Sequence, residues 1–75
     1  MPLILAPQGE SMTVVRVAAE SKVSRHLVDM GIAPGAEIAL LSSASGNAVV
    51  NVGGVRVALD SKIARLIFVC KKTAA

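Results

Sequence analysis

His26-Leu27-Val28-Asp29-Met30-Gly31-Ile32-Ala33-Pro34-Gly35-Ala36-Glu37-Ile38 is the stretch on which the fold turns. It reads as the end of a helix, a stop, a tight turn and the start of a strand. Val23, Leu27 and Met30 stand at i, i+4 and i+7, on one helical face. Gly31 follows at the place where a helix closes through the left-handed region, which glycine enters without steric cost. Ala33-Pro34-Gly35 then turns the chain. Proline presets the first central position of a type II turn, and glycine supplies the positive φ of the second. Residues 36–41 leave as a strand, with Ile38 and Leu40 facing inward.

Upstream, Glu20-Ser21 opens the helix with Ser21 as N-cap. The helix runs to Met30, with Lys22, Ser24, Arg25 and Asp29 on its wet face. Residues 10–18 read as a strand with apolar side chains on both faces. We place Val15 and Val17 inward, because Arg16 between them seeks water. Pro2–Pro7 is a short apolar lead-in, too rich in proline for a central strand, with Leu3 and Leu5 plugging one end of a core. Downstream, Ser42–Gly46 is a small-residue loop and 47–52 a third strand. Gly53-Gly54 links two apolar runs as a primed hairpin turn. Val55, Val57 and Leu59 alternate with Arg56 and Ala58 in a fourth strand. Asp60 or Ser61 caps a single helical turn at 62–65, and 66–70 is the last strand. Residues 71–75 form a frayed tail.

Seventy-five residues hold one domain, 1–75, with its core at about 3–70. The sequence is 53% hydrophobic, and Phe68 is its single aromatic residue. Short strands of branched aliphatics joined by hairpins, with one inserted helix, point to a small bent sheet closed into a barrel. The lone cysteine, Cys70, has no internal disulfide partner, so a reducing, cytoplasmic setting is expected. No apolar run reaches the roughly 18 residues of a membrane span, and the first residues lack the charged start of a signal peptide. No membrane insertion is expected.

The chain offers little chemistry. His26, Asp29 and Cys70 match no metal-ligand spacing, so no native metal site or cofactor is expected. Gly53-Gly54 is not a phosphate loop, and no Walker pattern occurs anywhere, which argues against nucleotide hydrolysis. The five carboxylates form no catalytic pair legible in sequence. A net charge of +3 permits an acidic partner. Lys71-Lys72 with Arg16 or Arg56 would make a basic patch, but the stacking aromatics of nucleic-acid barrels are missing, so no nucleic-acid partner is expected.

The run Leu27-x-x-Met30-Gly31-Ile32-x-Pro34-Gly35, followed by a hairpin and the late segment Val57–Val69, resembles the FeoA family of bacterial ferrous-iron uptake proteins. The resemblance spans roughly residues 3–70. Two positions depart from it: His26 stands where the family often has a cation, and Ile63 where it usually has a charge. The resemblance implies a mostly β, SH3-like barrel of about five strands with a helix between the first two main strands. It also implies a non-enzymatic cytosolic accessory protein that modulates a FeoB-type membrane GTPase-permease by contact with its cytosolic region. Arg25, His26, Asp29, Met30 and Pro34 are the expected partner-binding residues. Gly31, Gly35, Gly53 and Gly54 are the expected turn residues. Two alternatives stay open. One is a free-standing regulatory module like the C-terminal SH3-like domain of iron-dependent repressors; the other is a weak nucleic-acid-binding barrel.

Overall fold

The computed structural model describes residues 1–44 and 46–71. After a 3-10 turn at Leu3–Leu5 come β1 (Ser11–Val17), α1 (Ser21–Asp29), β2 (Glu37–Ala44), β3 (Asn47–Val52), β4 (Val55–Asp60), α2 (Ser61–Ala64) and β5 (Ile67–Lys71). The strands make one antiparallel sheet in the order β4-β3-β2-β1-β5. The architecture is mostly β and SH3-like, with α1 inserted between the first two strands.

The β3–β4 hairpin shows how local chemistry fixes register. Gly53 and Gly54 have φ of 58° and 85°, the paired positive values that a primed two-residue turn demands. The Gly54 N–H donates to Asn51 Oδ1 at 3.0 Å. Val52 therefore faces Val55, and the ladder runs from there to Asn47 and Asp60.

The core lies on one face of the bent sheet. Met12, Val14, Ile38, Leu40, Val50, Leu59, Ile67 and Val69 fill it, and Leu27, Ile32 and Leu3 cover it. In β1 the inward residues are Met12 and Val14, not Val15. The register against β5 pairs Val14 with Val69 but Arg16 with Phe68, so Val15 is an extra residue, a β-bulge. It is 51% exposed. The bulge reverses the alternation, and Val17 returns as a half-buried residue packed on the core.

β2 carries a second bulge, between Leu40 and Ser42. Beyond it Ser42, Ser43 and Ala44 continue the strand opposite Val49, Ala48 and Asn47, so most of the expected 42–46 loop is ladder. Ser45, in that expected loop, lies outside the described residues, as do 72–75 of the expected tail. Lys71 belongs to β5 rather than to the tail.

At the start of the chain Leu3 is buried while Leu5 is 71% exposed, so only the first plugs the core. A single 3-10 turn points neighbouring side chains in different directions. The Met1 amino group donates to the Val69 carbonyl at 2.8 Å, and the Val69 N–H donates to the Met1 carbonyl at 2.7 Å. Pro2 bridges to Phe68. α2 begins one residue earlier than expected, capped by Asp60, whose Oδ1 accepts the Lys62 N–H at 2.7 Å.

Candidate functional site

α1 is held by its C-terminal end. Gly31 has φ 92°, its N–H donates to the Val28 carbonyl at 2.9 Å, and the Ile32 N–H reaches back to Leu27 at 2.8 Å. This pair of bonds is a Schellman closure, with buried Leu27 and Ile32 as its apolar contact. The Ala36 N–H then donates to the Ala33 carbonyl at 2.9 Å across Pro34-Gly35, and β2 begins. At its other end the helix is capped by Glu20, without a side-chain bond, rather than by Ser21.

This closure sets the rotation of α1. Leu27 points into the core, Val23 and Met30 are half-buried, and Lys22, Arg25, His26 and Asp29 are exposed. Those four stand at i, i+3, i+4 and i+7, a single stripe along the helix. His26 lies one residue round the helix from Leu27 and faces water.

Between this stripe and α2 runs an open groove of about 490 Å³, lined by Lys22, Val23, Arg25, His26, Asp29 and Ile63. Val23 and Ile63 give it apolar surface, and the cations, imidazole and carboxylate give it polar walls. The structure thus brings Arg25, His26 and Asp29 together. Met30 turns toward the core as the C-cap residue of α1, and Pro34 is exposed on the turn beyond the helix; neither lines the groove. Lys22, Val23 and Ile63 complete the lining and were not read from sequence as a site. The signal for Lys22 was its spacing to Arg25, His26 and Asp29. For Ile63 the signal is an apolar residue where the resembled family usually has a charge.

A smaller depression of about 280 Å³ holds Gly53 and Gly54 with Ser11, Glu37, Ile38, Ala39 and Asn51. There the Ser11 hydroxyl donates to Glu37 Oε2 at 3.2 Å. Among the described residues no three His, Cys, Asp or Glu side chains gather where they could hold a metal ion. Cys70 is exposed on β5 opposite Thr13. The Arg16 guanidinium lies 5.0 Å from the centroid of the Phe68 ring, so the single aromatic face is already occupied by a cation. No helix among the described residues is long and apolar enough to cross a membrane. A groove with an apolar floor and charged walls suits surface recognition of another macromolecule.

Comparison with known proteins agrees with this fold. The model of the FeoA domain family matches residues 1–71. A crystal structure described as an iron uptake regulatory protein (FeoA) is 32% identical over 93% of this chain and 95% of its own, with a TM-score of 0.84. The solution structure of the FeoA protein from Chlorobium tepidum is 31% identical, covering 97% of this chain and 71% of that one, with a TM-score of 0.88. A manganese-dependent transcriptional repressor shares the fold at a TM-score of 0.85 and 24% identity, over 96% of this chain but 41% of its own. No curated protein matches the chain by sequence.

Proposed function

This chain belongs to the FeoA family, and from that premise we propose that it is a non-enzymatic accessory protein of ferrous-iron uptake. It acts in the cytoplasm as a single domain with its core at about 3–70. It docks on the cytosolic region of a FeoB-type GTPase-permease and modulates transport through that contact. The observation that carries this reading is the α1–α2 groove, which joins Arg25, His26 and Asp29 to an apolar floor on a protein of that family. Met30 and Pro34 extend the contact region toward the turn, one beneath the helix end and one exposed past it.

The groove contributes a surface rather than a reaction. Charged walls of this kind set association rate and orientation, while the apolar floor supplies burial. Reversing Arg25 and Asp29 together (Arg25→Glu, Asp29→Lys) changes exposed groups only, so stability shifts by no more than about 0.5 kcal/mol. Docking weakens by about 1–2 kcal/mol. The test is titration of wild type and this variant onto the transporter's cytosolic region, with growth on limiting ferrous iron in parallel. Absence of wild-type binding, together with unchanged growth after gene deletion, refutes the reading. The likeness to a repressor's SH3-like portion supports a regulatory interaction module as the second reading. That module would bind a segment of a regulator and leave iron uptake untouched.

A further inference from the structure

The two ends of the sheet are finished differently. The outer side of β5 is covered by Met1 and Pro2, which bond to Val69 and bridge to Phe68. β4 pairs with β3 along its whole length. Among the described residues no backbone hydrogen bond reaches its other side. An uncovered edge of this kind is a template for another strand.

Hairpin geometry says which residues present that edge. A two-residue turn closes on a hydrogen-bonded pair, here Val52 and Val55, and such pairs recur at alternate positions. Val55, Val57 and Leu59 therefore direct their backbone groups to β3. Arg56, Ala58 and Asp60 direct theirs outward, and their side chains are exposed.

We propose that this edge is a self-association site, where β4 pairs antiparallel with β4 of a second copy about a two-fold axis at Ala58. The argument for a second copy is charge complementarity across the axis. Centring the pair on Arg56 sets arginine against arginine, and centring it on Asp60 sets aspartate against aspartate. Centring it on Val57 or Leu59 opposes neither charge to its opposite. The Ala58 register sets Arg56 of each copy across from Asp60 of the other and matches every outward backbone group to an outward backbone group. Opposite charges directly across a ladder stabilise it, and like charges destabilise it. The same register lays half-buried Val57 across from Leu59 of the second copy, whose side chain is already in its own core. Asp60 Oδ1 keeps its capping bond to the Lys62 N–H, and the second carboxylate oxygen takes the guanidinium.

Sedimentation of the whole chain from about 10 µM to about 1 mM reads the association directly. Wild type forms a dimer in this range. Arg56→Asp and Asp60→Arg each place like charges at both ends of the pairing, and each weakens association by at least about tenfold. An equimolar mixture of the two variants recovers it, because every charge in the mixed pair again faces its opposite. Asp60→Arg also loses the cap of α2, so circular dichroism accompanies each sample. Ala58→Pro gives an independent readout: its N–H faces outward and is not used by β3, and proline is tolerated on a sheet edge. That variant keeps its dichroism and stays monomeric. A monomeric wild type at about 1 mM overturns the proposal. So does a dimer that survives Ala58→Pro, or a mixture of folded charge variants that fails to recover.

Discussion

Replacing Gly31 with alanine tests the helix closure that aims α1. Two effects act together. At φ 92° the backbone stands where L side chains rarely go, and leaving the right-handed regions costs about 1–2 kcal/mol. A Cβ built there would also lie 3.2 Å from Val52 Cγ1. Val52 is only 7% exposed and β-branched, so it cannot swing away without disturbing the core. We expect Gly31→Ala to cost about 2 kcal/mol, against a total of roughly 4–11 kcal/mol for a chain this size. That corresponds to a fall in Tm of roughly 8–16 °C. Val52→Ala removes the crowded methyl, so the double variant should be less destabilised than the two single changes added together, by about 0.5 kcal/mol or more. Urea unfolding followed by circular dichroism measures all four corners of the cycle. Gly53→Ala, at φ 58° with nothing within 4 Å of its Cβ, serves as the uncrowded control. An unchanged midpoint for Gly31→Ala, or strict additivity with Val52→Ala, refutes the reasoning.

Leu27→Ala should cost about 2–5 kcal/mol as a cavity in the core, which a thermal melt will show as partial unfolding near 37 °C. The bulge in β1 gives a paired test. Val14→Ala should lower urea stability by about 1–3 kcal/mol, whereas Val15→Thr on the extra residue should stay within about 0.5 kcal/mol. Equal losses at the two positions would contradict the register. Binding to DNA or RNA should be weak and vanish near about 150 mM salt in a titration series, because few phosphates can be neutralised and stacking faces are lacking.

Much of the architecture could be read from residues whose local chemistry permits one answer. Gly31 after an apolar i, i+4, i+7 row and Gly53-Gly54 between valine runs are of that kind. So is the strand, hairpin and helix order, which the structure shows. The errors fall where local chemistry permits two answers. β1 has apolar residues on both faces, and a bulge at Val15 changes which face is inner partway along; alternation alone carries no sign of it. Ser42–Ala44 is small and polar enough for a loop, yet a second bulge lets it continue opposite β3. Ser21 is the better capping side chain, but the chain enters the helix from Glu20. The groove was half legible. Arg25, His26 and Asp29 fall on one helical stripe by counting alone. Ile63 completes the lining from α2, and no rule of spacing connects two helices separated by three strands.

Pairing of the first strand with the last has a kinetic consequence. Val14 meets Val69 and Val17 meets Ile67, so the central layer of the core needs β1 and β5 at once. Hairpins such as β3–β4 can form as soon as they are made, but the large loop between β1 and β5 must close before Met12 and Val14 are covered. Contacts this distant along the chain slow folding, to about milliseconds to seconds for small β barrels. A chain made only through β4 leaves one edge of β1 unpaired, with β2 alone bordering it. That edge stays open to misassociation until β5 has been made and has docked.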